Sequence, residues 1–298
     1  MPPRASFSVP LPGREPLQLG VRTLVMGILN ITPDSFADGG VHFEVDRAVD
    51  AGVRMAEDGA DIIDIGGEST RPGAAQVGAA EEMRRVLPVI ERLSSRVAVP
   101  ISIDTYKASV ARDAVAAGAT MVNDISGLLY DDELGGTVAR TGAALVLMHT
   151  RGRSHEMYEL ANYTDVVAEV TRELDGAMNR ARTVGVAENS IILDPGFGFA
   201  KKAAHSIEVL AHLDAVAKLG RPILSGPSRK SFLKSAIGER EPAAREWATA
   251  AAITASVLMG AHIVRVHGVK AMVDVVRTAD LIRDARIEPW QMRCSDTA

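Results

Sequence analysis

Nine residues of this 298-residue chain have side chains suited to binding or charge stabilisation, and all occupy one kind of position. Each lies at the end of a short apolar run or in the loop just beyond it. They are Asn30, Arg71, Asp104, Asn123, His149, Asp194, Lys230, Arg265 and His267. Asp104, Asn123 and Asp194 follow their apolar runs directly, so they should be partly buried, and a buried carboxylate needs donors. A planar ligand edge with adjacent N–H groups, such as an aminopyrimidinone, would supply them in bidentate fashion. The competing use is as helix caps, most natural for Asp104 ahead of Lys107.

Asn30, Arg71, Arg265 and His267 form a second set, together with the backbone around Ser69 and Thr70. Arg and His donors with few carboxylates nearby suit a phosphate or pyrophosphate. Asn30, with Asp38 ranked behind it, could help hold magnesium, an oxygen-ligand cation that commonly rides on phosphates. Two members have structural alternatives. Arg265 could form an ion pair with Asp104, and His267 could be a satisfied core imidazole.

Two stretches carry much of this chemistry. Residues 61–73, DIIDIGGESTRPG, begin as a strand in which Ile62, Ile63 and Ile65 are β-branched. Gly66 and Gly67 end it and allow a tight turn or a close approach to a ligand. Glu68, Ser69, Thr70 and Arg71 follow, closed by Pro72-Gly73. Residues 225–232, SGPSRKSF, are a glycine turn feeding a helix start, where Ser231 and exposed N–H groups can bind a carboxylate. Lys230 in that turn could act as a point charge or as a Schiff-base lysine.

The elements that must position these residues are legible as a repeating unit. Strands are expected over 24–29, from 61, and over 99–103, 120–122, 145–148, 190–193, 222–224 and 263–266. Helices are expected over 44–58, 81–93, 107–117, 133–141, 164–184, 206–219, 245–259 and 269–285, with a glycine before nearly every new strand as a C-cap. Residues 150–162 are polar and irregular. Eight alternating strand–helix units in about this length imply an α/β fold with a parallel sheet closed into a (β/α)8 TIM barrel. An open doubly wound sheet would carry Gly-x-Gly-x-x-Gly after its first strand, where this chain has NITPDSF. Residues 1–22 are read as an N-terminal arm, extended or a short hairpin. Residues 23–287 are one barrel domain, and 288–298 a C-terminal tail.

Composition narrows the function classes. The chain is 47% hydrophobic and 24% charged, with a formal net charge of −5, so no global field favours nucleic acid and any anion site must be built locally. The single cysteine, Cys294, allows neither an internal disulfide nor a cysteine zinc site and fits a reducing, cytoplasmic setting. The N-terminus lacks an apolar secretory core. The longest apolar run, 248–261, is too short to span a bilayer and reads as a buried helix.

The ordered motifs GILNITPDSF with DGG (27–40), DIGGESTRPGA (64–74), SIDTYK (102–107), NDISG (123–127), LMH (147–149), LDPGFGFAK (193–201), SGPSRKSFL (225–233) and VRVH (264–267) resemble those of the dihydropteroate synthase family. That family, a sulfonamide target in folate biosynthesis, joins 6-hydroxymethyl-7,8-dihydropterin pyrophosphate to 4-aminobenzoate and releases pyrophosphate. The resemblance implies a pterin pocket from Asp104, Asn123, Met148, Asp194 and Lys230. It implies a pyrophosphate site from Asn30, Arg71, Arg265 and His267 with magnesium, and an aminobenzoate site from Phe36, Thr70, Pro72, Phe199 and Ser231. It further implies loops around residues 34–40 and 68–73 that close over the reaction, and a homodimer. Catalysis would then fall to Asn30, Arg71, Lys230, Arg265 and His267.

Gly268 departs from the family pattern, which usually has Asp there and so a possible orienter for His267. Lys202 and Ser206 replace a common Thr and Asn. Two rivals are a pterin-dependent methyltransferase barrel and a non-catalytic pterin-binding paralogue. The first would not need ESTRPG or SRKSF, and the second is disfavoured because Arg71, Lys230 and His267 are all retained.

Overall fold

Short runs of Val, Ile, Leu and Met that are apolar on both faces suit parallel strands covered by helices on one side and by their own barrel interior on the other. The structure, a computed structural model, describes residues 4–31, 41–69 and 76–287. An antiparallel hairpin comes first, β1 (Phe7–Leu11) and β2 (Arg14–Leu19). The barrel strands are β3 (Leu24–Asn30), β4 (Ile62–Gly66), β5 (Ile101–Asp104), β6 (Met121–Asp124), β7 (Ala144–Met148), β8 (Ile191–Asp194), β9 (Leu224–Ser225) and β10 (Ile263–Val266). They form one eight-stranded parallel sheet in the order β8-β7-β6-β5-β4-β3-β10-β9. A parallel bridge between Leu193 and Ile223, with Leu193 N donating to Pro222 O at 2.9 Å, joins the two edges and closes the barrel.

The helices are α1 (Val41–Glu57), α2 (Ala79–Ser94), α3 (Ala108–Ala116), α4 (Leu134–Thr141), α5 (Val166–Thr183), α6 (Ala203–Ala211), α7 (Leu213–Ala217), α8 (Lys234–Ile237), α9 (Glu246–Leu258) and α10 (Val269–Ile287). None of the described helices is long and apolar enough to cross a membrane. Two expectations need correction. The helix read over 206–219 breaks at His212, which leaves helical geometry at φ −120° and ψ 36° while its ring Nδ1 lies 2.9 Å from Glu208 O. The strand read over 222–224 shrinks to Leu224–Ser225 plus the single bridge, because Pro222 has no N–H for the ladder.

Side-chain alternation along each strand decides what faces the barrel axis. Met26, Ile62, Met121, Ala144, Val146, Ile192, Leu224 and Ile263 pack together inside the barrel. Val9, Leu11 and Leu19 of the hairpin join that layer and plug its lower end. Ile63, Ile65, Ile103, Val122 and Leu193 face outward onto the helices. Two residues above the interior layer, the same parity brings Asp64, Asn123, Asp194 and Arg265 inward. The register carries the upper row around the barrel, pairing Asn30 with Gly66, Gly66 with Asp104, and Asp104 with Asn123.

Candidate active site

The mouth at the C-terminal ends of the strands is a set of buried acceptors around one guanidinium. Arg265 of β10 donates from Nε to Asp64 Oδ2 at 2.6 Å and from Nη2 to Asp104 Oδ2 at 2.6 Å. Asn123 Nδ2 donates to the same Asp64 Oδ2 at 3.0 Å. The alternative of an Arg265–Asp104 pair is therefore realised, with Asp64 as a second partner. Burial pushes the Asp104 carboxyl up to about 7. Arg265 draws it down, Asp64 and Glu82 push it further up, and Lys230 draws it down.

Asp104 caps no helix. The first turn of α3 is served by Asp131, whose Oδ2 accepts from Ala108 N at 2.8 Å, and by Thr105, whose hydroxyl accepts from Lys107 N at 3.2 Å. Asp194 is held by its own turn, with Gly196 N donating to Oδ1 at 2.7 Å. Its Oδ2 faces Gly226, where an added Cβ would lie 3.9 Å away. Burial raises the Asp194 carboxyl above its ordinary value, against the pull of Gly196 N–H, Lys230 and Arg265. Asn123's neighbour Asp124 points the other way and accepts from Ser126 N at 2.8 Å and Leu128 N at 2.6 Å, so it builds the loop.

Lys230 extends over the Phe199 ring with Nζ 4.0 Å from the centroid, the placement of a point charge. Phe199 packs with Met148, Met157 and Ala200 in a small apolar cluster beside the mouth. Ser231 is exposed at the start of a 3-10 turn, Ser231–Leu233, where sequence suggested a helix proper. Asn30 ends β3 half-buried, with Oδ1 3.7 Å from a Cβ built on Gly66. Arg71, Phe36, Thr70, Pro72 and Asp38 lie outside the described residues. The root of the loop that carries Thr70, Arg71 and Pro72 is anchored: Tyr106 donates to Glu68 at 3.0 Å, Lys107 pairs with Glu68 and Glu82, and Arg85 donates to Gly67 O at 2.9 Å.

His267 Nδ1 lies 3.0 Å from Ser228 Oγ, and its backbone N donates to the same hydroxyl at 3.2 Å. Ser228 thus orients this imidazole, the role for which sequence reading missed Asp at Gly268. Gly268 has its own reason. A Cβ there would overlap Glu246 Oε1, and Glu246 Oε2 holds Arg229 Nε at 2.9 Å. Arg229 needs that hold, because its φ of 58° is left-handed and costs a side-chain-bearing residue energy. Thr249 Oγ1 accepts from its N at 3.0 Å, and Arg245 Nη1 donates to its O at 2.7 Å. Gly268→Asp should therefore lower thermal stability by about 1–3 kcal/mol through crowding and like charge against Glu246. Glu246→Ala in the same chain should recover part of that loss in a melting experiment. Equal melting temperatures for wild type and Gly268→Asp would contradict it.

His149, one of the strand-end residues, does not join the mouth. Met148 takes the inward position of β7, and the buried His149 turns back to Glu173, 2.9 Å from Nε2. Lys201, 1% exposed, donates from Nζ to His149 Nδ1 at 2.7 Å, Gly196 O at 3.1 Å and Phe199 O at 3.2 Å. An amine donating to Nδ1 fixes the ring proton on Nε2, facing Glu173. Burial, with the positive charge of Lys201 next, lowers His149 to about 4, which keeps the ring neutral. Burial likewise draws Lys201 down to about 7, against Asp194 and Glu173. This cluster fastens the loop carrying Phe199 from behind.

Comparison with known proteins agrees with this geometry. The family model described as pterin binding enzyme matches residues 26–267. A dihydropteroate synthase of Synechocystis is 45% identical over 277 residues, 93% of this chain and 96% of that protein. A structure of the Xanthomonas albilineans dihydropteroate synthase with 4-aminobenzoic acid superposes with a TM-score of 0.83 at 44% identity, covering 91% of this chain and 96% of that one. The same enzyme in complex with 7,8-dihydropteroate gives a TM-score of 0.81 at 41% identity, over 92% and 99%. The chain belongs to the pterin-binding enzymes and, within them, to the dihydropteroate synthase family.

Proposed function

We propose that the chain transfers the pterinylmethyl group of 6-hydroxymethyl-7,8-dihydropterin pyrophosphate to 4-aminobenzoate, giving 7,8-dihydropteroate and pyrophosphate in folate biosynthesis. The observation that carries this reading is the row of buried Asn123 and Asp194 with largely buried Asp104, which offers acceptors to a planar N–H edge, with Arg265 among them as a fixed cation. Asp104, Asn123, Met148, Asp194 and Lys230 bind the pterin, with Lys230 set between Phe199 and the ring. Asn30, Arg71, Arg265 and His267 bind the pyrophosphate. Phe36, Thr70, Pro72, Phe199 and Ser231 bind 4-aminobenzoate at the rim.

Arg265, Arg71 and His267 stabilise negative charge growing on the departing pyrophosphate, so the C–O bond breaks early and the pterin methylene becomes cation-like. The neutral arylamine attacks that carbon, and no strong general base is needed to unmask it. Removing one such donor typically costs about 10²–10³ in rate.

Magnesium fits this donor set in one way only. Among the described residues no three His, Cys, Asp or Glu side chains gather into a metal cage. Asn30 offers one neutral oxygen at the mouth, which suits an ion that keeps its waters and is carried mainly by substrate phosphates. Bound there, magnesium would supply charge neutralisation to the leaving group. Chelation with EDTA should abolish turnover and added magnesium should restore it. Full activity in excess chelator would remove the ion from the scheme.

Exposed Trp247 on α9 (88%) and Leu281 on α10 (66%) support pairing of two copies through these helices, and the single cysteine fits a reducing, cytoplasmic setting. A single-chain mass by light scattering would contradict the dimer. The reaction itself is tested by incubating purified protein with magnesium and both substrates and looking for 7,8-dihydropteroate by mass spectrometry. Pterin binding without product would favour the non-catalytic reading.

A further inference from the structure

Asp64 is 0% exposed in the middle of a strand of isoleucines, where an apolar side chain would pack without any desolvation cost. Its partners are arranged one-sidedly. Oδ2 accepts from both Arg265 Nε and Asn123 Nδ2, while Oδ1 has no hydrogen-bond partner among the described residues. The register neighbour Ser102 is equally buried, and its Oγ also lacks one. A carboxylate placed for stability would use both oxygens. This one uses a single oxygen to hold two residues that face different parts of the proposed substrate.

We infer that Asp64 is a positioning residue that sets the Asn123 amide and the Arg265 guanidinium together, and so couples the pterin edge to the anion site. The inference rests on the proposed division of the mouth into those two parts. One of the two Nδ2 hydrogens is committed to Asp64, which fixes the amide plane and leaves Asn123 its carbonyl oxygen and one N–H to offer a ligand. The row Asp104, Asn123 and Asp194 then presents mainly acceptors in a fixed orientation, the complement of a ligand edge made mainly of N–H donors. On the other side, Asp64 and Asp104 share one guanidinium. Arg265 therefore meets an incoming anion partly neutralised, and its full charge develops as ligand donors engage Asp104. Asp64 touches no reacting atom.

Acceptor and charge can be separated by two substitutions. Asp64→Leu removes both, leaving the Asn123 amide free to turn and Arg265 with one carboxylate. Asp64→Asn keeps an oxygen for Asn123 and Arg265 but removes the charge, and its NH2 can take the place of Oδ1. Calorimetry with 6-hydroxymethyl-7,8-dihydropterin and, separately, with inorganic pyrophosphate and magnesium would read the two sites. Asp64→Leu should weaken the pterin by about tenfold or more and tighten pyrophosphate by about three- to tenfold. Asp64→Asn should bring pterin affinity back to within about threefold of wild type while pyrophosphate stays tightened. If Asp64→Leu does not fold, Asp64→Asn alone still tests the charge.

Opposite movement of the two affinities is the result expected, because a purely structural residue would weaken both together. Parallel weakening in Asp64→Leu, or wild-type pyrophosphate affinity in Asp64→Asn, would overturn the assignment. Wild-type protein that binds neither probe would instead overturn the functional reading, and this inference with it.

Discussion

Arg265→Met should reduce kcat/KM by about 10³ or more and destabilise the fold by about 3–5 kcal/mol above neutral pH. The kinetic part follows from losing a cation that faces the leaving group. The stability part follows from what remains behind: two buried carboxylates, Asp64 and Asp104, with only the Asn123 amide donating to Asp64. The pH dependence has a definite sign. Burial already raises Asp104 to about 7, and Arg265 is the largest influence holding it down. Without Arg265 the group rises further. A carboxyl with a raised folded pKa contributes stability that is present below its unfolded range and lost as pH rises through the folded value. The deficit of the variant should therefore be small near pH 5 and larger, still growing, at pH 8. Thermal unfolding at both values checks it, and an equal deficit at the two would contradict the arrangement.

A second large effect is expected from one methyl group. Gly196→Ala should lower kcat/KM by about 10²-fold, mostly through weaker pterin binding, because the turn after β8 cannot admit a Cβ. Gly196 has φ of 70°, and its Cβ would overlap the backbone oxygen of His149, which has no side-chain freedom to yield. The same residue donates its N–H to Asp194 Oδ1, and its carbonyl accepts from Lys201. Displacing it moves the carboxylate, and the Phe199 loop with it. Gly220→Ala is the matched control. Its φ of 69° is nearly the same, but nothing lies within 4 Å of the added carbon. That change should cost about 1 kcal/mol of stability and leave the pterin KM alone. Similar kinetics in the two variants would contradict the steric argument.

The barrel was legible because each strand is a compact apolar run and most helices end near a glycine, so unit spacing alone implied eight strands. Asp104, Asn123 and Asp194 were legible as buried polar groups for the same reason. Two positions were misread for want of period-two counting. Asp64 lies two residues before Gly66 on the inward face, yet it passes unnoticed among isoleucines. His149 ends a strand, but Met148 before it holds the inward parity, so the imidazole must turn away. The break at His212 leaves no trace in apolar periodicity, because buried Leu210, Leu213 and Val216 keep a helical spacing across it. Ser228 and Glu246 could not be tied to His267 and Gly268 from sequence, because those contacts join a loop, a helix start and a strand end far apart in the chain.

The site is layered in depth: Asp104, Asn123 and Asp194 sit at the strand ends, while Ser231 is exposed at the rim. A ligand at the rim should therefore find its surface completed only once the floor is filled. The most direct test is a pair of calorimetric titrations onto the bare protein with magnesium, one with dihydropterin pyrophosphate and one with 4-aminobenzoate. Binding of the pterin pyrophosphate alone, with no measurable binding of 4-aminobenzoate, is the expected result. Tight binding of 4-aminobenzoate to the bare protein, with the pterin following only after it, would contradict the order in which the site is built.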